Sequence, residues 1–197
     1  MSDQRHSEWI LACVQGELVG FIPPAVVGAT LVALDASEVV LVFGLVIAGV
    51  VEGMILGRAQ ARVIGRLLPS VSGWATATAV AAGLAWLAGM GGSSSVQAVG
   101  PMGLAIAGPG WAVGLLAMGV LQARCLRPAV LEPNRWIPAT TMAWLIGVTI
   151  PVAALSVIPN GWPLVAHIIV AVAAAVAMGA TVGAITARTL FRFVASD

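Results

Sequence analysis

Two glutamates stand where acids are expensive. Glu17 and Glu52 lie inside long apolar runs, and Gln15 precedes the first of them by two residues. At 1.5 Å per residue, Glu17 falls about 12 Å beyond Trp9 and Glu52 about 15 Å before Arg62. If the two runs form adjacent antiparallel helices, the carboxyl groups share one depth. A charge at mid-bilayer costs ~2.5–3.5 kcal/mol even on lenient insertion scales, so such side chains turn inward. Glu17, Glu52 and Gln15 are therefore the candidates for a proton or cation site. The competing reading is structural, with core acids hydrogen-bonded inside a bundle or an acid paired with Arg58.

Other chemistry is poorly supplied. The chain has no Lys, so neither a Schiff base nor a phosphate-cradling P-loop can be built. Two His and two Cys show no metal-ligand spacing. His167 sits early in the last apolar run, where an interfacial histidine is expected. Ser93-Ser94-Ser95 reads as a flexible loop, with no histidine placed to activate a serine. No catalytic constellation, metal site or cofactor motif is present, and neither an enzyme nor a nucleic-acid partner is expected.

The elements that must position the glutamates are apolar throughout. Of 197 residues, 60% are hydrophobic and 9% charged, with a mean hydropathy of +1.03. Soluble domains carry about 25% charged residues, so this composition belongs to a membrane protein. Six runs approach the roughly 20 residues a spanning helix needs, at about 10–34, 39–62, 74–91, 104–124, 137–158 and 163–188. The fold expected is all-α, a single transmembrane domain over 1–197 without a cleaved signal peptide.

Asp35-Ala36-Ser37-Glu38 reads as a capping box that turns the first run into the second. Gly91 to Gly103 reads as an uncharged loop. Prolines at Pro23-Pro24, Pro109 and Pro151 should bend or break their helices.

A repeat organises these runs. Gly57-Arg58-Ala59-Gln60-Ala61-Arg62, Gly119-Val120-Leu121-Gln122-Ala123-Arg124 and Gly183-Ala184-Ile185-Thr186-Ala187-Arg188 share the form G-x-x-[QT]-A-R. Their final arginines are 62 and 64 residues apart, and Trp9, Trp74 and Trp136 are spaced by 65 and 62. A constant period signals internal repetition. The units run approximately 9–66, 74–127 and 136–192, each a helical hairpin in the same orientation, giving a pseudo-three-fold arrangement.

The repeated residues have packing explanations. Gly49, Gly53 and Gly57, with Ala61 and Gly65, form a small-residue column. Gly119 and Gly183 head similar stretches, which let helix backbones approach. Gln60, Gln122 and Thr186 are placed to hydrogen-bond across those contacts. The tryptophans read as an aromatic belt at headgroup depth. Arg58, Arg62, Arg66, Arg124, Arg127, Arg188 and Arg192 read as interfacial anchors. All nine basic residues are arginines lying near the termini or after every second run, which places both termini in the cytoplasm. Cys13 and Cys125 fall on that reducing side, so no disulfide is expected.

The resulting expectation is a multi-pass protein of a bacterial plasma (inner) membrane. Its function would be that of a small transporter or channel with a proton or cation site in the first hairpin. The alternative is a non-catalytic subunit or scaffold, packed through its glycine faces into a homo-oligomer or against a membrane-protein partner.

Overall fold

The computed structural model describes residues 2–99, 102–159 and 161–195. The described residues are helical, with no strands among them. Seven α-helices follow in order: α1 (Ser2–Gly20), α2 (Ile22–Ala33), α3 (Glu38–Leu67), α4 (Trp74–Val99), α5 (Met102–Leu126), α6 (Trp136–Ser156) and α7 (Leu164–Ala195). A 3₁₀ turn, Pro133–Arg135, leads into α6. Among the described residues, four helical stretches are long and apolar enough to cross a membrane: Gln4–Ala33, Glu38–Leu67, Pro133–Ser156 and Leu164–Ala195. Two shorter apolar stretches, Trp74–Met90 and Ala112–Leu126, lie in α4 and α5.

The α1–α2 break comes at Phe21, two residues before the Pro23-Pro24 pair, whose nitrogens carry no hydrogen to donate to the preceding turn. Pro151, by contrast, stays inside α6, and Pro109 lies within α5. Two sequence expectations need correction. Asp35 is not a helix cap: it takes a left-handed φ of 51°, and Ser37 is the residue before α3. Gly91 also does not begin a loop, because α4 continues through Val99. Gly and Ser raise the cost of a helix without forbidding it. The Ser93-Ser94-Ser95 side chains lie outside the described residues.

α1, α3, α4, α5, α6 and α7 pack as a closed ring, each against its two sequence neighbours, and α7 returns to α1. Close contact is made where small residues face backbone. A Cβ added to Gly57 would meet Ala75 Cα at 2.7 Å, one on Gly119 would meet the Ile137 carbonyl oxygen at 2.8 Å, and one on Gly183 would meet Ile10 Cα at 2.9 Å. Gly53 faces Ala79 and Ala82 equally closely, and Gly49 lies under the Trp86 ring. These glycines are thus used within the chain, along the α3–α4, α5–α6 and α7–α1 seams. The surroundings of Gly65 and Gly110 are open.

The main apolar core fills one end of the ring, where Trp9, Ile64, Trp74, Leu126, Trp136 and Leu190 pack together. Outward-facing Val32, Phe43, Ile47 and Ile169 are each more than 60% exposed, a surface suited to lipid rather than water.

Candidate functional site

The core end is closed by three indoles. Trp9, Trp74 and Trp136 are at most 2% exposed and meet edge to face, with ring centroids 6.5, 6.1 and 5.5 Å apart. They are a buried cluster and not the headgroup belt expected of them. A buried indole N–H needs an acceptor. Trp74 Nε1 donates to Gln60 Oε1 (3.0 Å), Trp136 Nε1 to Gln122 Oε1 (2.9 Å) and Trp9 Nε1 to Thr186 Oγ1 (2.9 Å). Each bond joins the polar residue of one signature to the tryptophan that opens the next hairpin. The third joins the end of the chain back to its start.

A second set of bonds lies beside the first. Gln60 Nε2 donates to Cys13 Sγ (3.4 Å) and Gln122 Nε2 to Thr78 Oγ1 (3.0 Å). Cys13, Thr78 and Thr140 each stand four residues past their tryptophan. Thr186 has no amide to offer, and it donates to the Val182 carbonyl instead (2.6 Å). Thr140 Oγ1 is consequently buried without a partner.

Farther along the helices than this cluster, the ring lines a cavity of about 360 Å³. Glu17 and Glu52 both line it. So do Ala82, Gly114, Trp144 and Met178. Trp86 and Pro151 complete its more distinctive wall. The two carboxyl groups differ in partnership. Glu52 Oε2 accepts a 2.6 Å hydrogen bond from Trp86 Nε1. Glu17 is 1% exposed, and neither of its carboxyl oxygens has a partner. Gly20 presses on the Glu52 backbone and Gly16 on Leu56, which holds α1 against α3.

Set against known proteins, the chain matches no family model, no curated protein and no solved structure. Its site must be read from its own chemistry.

The structure brings Glu17 and Glu52 together and leaves Gln15 out. Gln15 is exposed, because two residues along a helix turn a side chain to the opposite face. Arg58 is exposed too and neutralises neither acid. Arg62, Arg66, Arg124, Arg127, Arg188 and Arg192 are exposed. Of these, Arg66 pairs with Glu8 at 2.9 Å. His167 Nδ1 lies 3.3 Å from the Pro163 carbonyl, at the start of α7. Among the described residues no group of three His, Cys, Asp or Glu side chains could hold a metal ion.

Sequence reasoning missed Trp86 as a wall residue. The signal available was an indole N–H deep in an apolar run, which needs an acceptor, and Glu52 was one of two acids there. Chemically the site has carboxylates able to exchange a proton for a cation.

Proposed function

We propose that this chain is a transporter of protons or cations, built from three hairpins about a pseudo-three-fold axis, with six spans and both termini in the cytoplasm. The observation that carries the reading is Glu17, an unpartnered buried acid on the wall of a cavity inside the helix ring. An unpaired acid at such a place is suited to a travelling charge. Support for the repeat comes from the recurrence of one Trp–Gln or Trp–Thr bond at three seams. Support for the orientation comes from the arginines, which follow the even-numbered spans or lie near the termini.

The scaffold reading is less well supported, since Gly49, Gly53, Gly57, Gly119 and Gly183 are consumed by contacts inside the chain. The test is flux in liposomes. Protein reconstituted with an internal pH-sensitive dye should pass protons, or exchange them for an added cation, faster than empty vesicles. Glu17→Gln should abolish that flux while thermal unfolding stays near the parent's. Wild-type vesicles no leakier than empty ones to protons, alkali cations and organic cations would end the transport reading.

A further inference from the structure

We infer that the cavity binds an organic cation, an amine or quaternary ammonium carrying an apolar body; the inference rests on the transport reading and gives its cargo a chemical class. Four observations converge. The space, about 360 Å³, suits a small organic molecule. Among the described residues its wall is apolar except at Glu17, Glu52 and the indoles of Trp86 and Trp144. Glu17 offers two buried oxygens with no donor of their own. Glu52 is already oriented by Trp86.

Bare metal ions fit poorly. Calcium takes 6–8 oxygen ligands, and among the described residues no lining side chain besides the two glutamates carries oxygen. An anion would meet two carboxylates. A neutral apolar solute would leave Glu17 as unpaired as before. An organic cation answers each demand, because its charge meets Glu17 while its body contacts Leu56, Met118 and Val148. Trp86 and Trp144 add ring faces that attract positive charge.

Cation and proton compete for the same carboxyl oxygens, and no covalent bond forms or breaks in the exchange. The other titratable groups near Glu17 are Glu52 on α3 and Cys13 on its own helix; α4, α5, α6 and α7 bring none to the wall. Cation affinity therefore weakens as the pH is lowered and strengthens as it is raised, by up to about tenfold per unit for a one-proton exchange.

The experiment uses the purified full chain in detergent, with benzyltrimethylammonium as probe and neopentylbenzene as its uncharged isostere. Calorimetric titration should show the cation binding the wild type and binding Glu17→Gln more than about tenfold more weakly, as expected when a buried charge loses its partner. Sodium and calcium chloride should give no comparable heat. If Glu17→Gln does not fold, the wild type still decides: dicyclohexylcarbodiimide should modify Glu17, read by mass spectrometry, and the cation should slow that modification severalfold. The inference is overturned if the isostere binds as well as the cation, if simple salts replace it, or if the cation gives no protection. Cation binding without flux in liposomes would retain this site and remove the transport reading. Proton flux from a protein blind to the cation would do the reverse.

Discussion

Thr78 and Thr140 occupy matching places beside the tryptophan cluster, but their hydroxyls are not equally used. Thr78 donates to the Trp74 carbonyl at 2.9 Å and accepts from Gln122, whereas Thr140 makes no bond. Removing a used hydroxyl strands its partner and costs about 1–3 kcal/mol, while removing an unused one relieves a desolvated group. Thr78→Val should therefore lower the unfolding temperature in detergent, and Thr140→Val should leave it unchanged or raise it. Equal losses in both variants would show that Thr140 does have a partner. A comparable test bears on the site: a side chain on Gly49 would collide with the Trp86 indole. Gly49→Ala should shift the tryptophan emission and disturb cation binding through Glu52, although residue 49 does not line the cavity. Unchanged emission and binding would separate Trp86 from the site.

At the scale of elements, the seams matter more than the helices that meet at them. On Gly119 a Cβ would strike the Ile137 backbone, which cannot move without parting α5 from α6. On Gly65 it would meet nothing within 4 Å. Gly119→Ala should destabilise the protein clearly, whereas Gly65→Ala should stabilise it by about 0.5–1 kcal/mol through helix propensity alone. Thermal unfolding of the pair checks this, and a stable Gly119→Ala would mean that the α5–α6 seam is looser than drawn. The repeated signature and its glycines could be read beforehand because small residues at regular spacing have few uses in apolar helices. The tryptophan cluster could not be read in the same way. A headgroup belt uses the same residue at the same helix position, and helices that are hydrophobic all round do not declare which side faces inward. The depth of Glu17 and Glu52 needed only counting. The exclusion of Gln15 needed the helix's actual rotation, and the length of α4 needed packing that overrides Gly and Ser propensity.

For the whole molecule, the positions of the arginines make one prediction about sidedness. Asn134 is exposed in the connection before α6, and Trp162 is exposed in the turn before α7. In a Cys125→Ala background, Trp162→Cys should react with an impermeant maleimide added to intact cells. Asn134→Cys should react only after permeabilisation. Cys13 is fully buried and should stay silent. The opposite pattern would invert the topology.

The ring is closed by a bond between residues 177 positions apart, Trp9 and Thr186, and that has a consequence for how the protein is made. Five of the six ring helices can leave the ribosome while Trp9 still has no acceptor and α1 still lacks α7. During that interval one wall of the compartment around Glu17 is missing, so the acid must be sheltered by lipid headgroups, water or an insertion factor. A chain that stalls before residue 186 therefore leaves the compartment around Glu17 open on the side that α7 covers in the finished molecule. Completion of the last helix encloses the same glutamate.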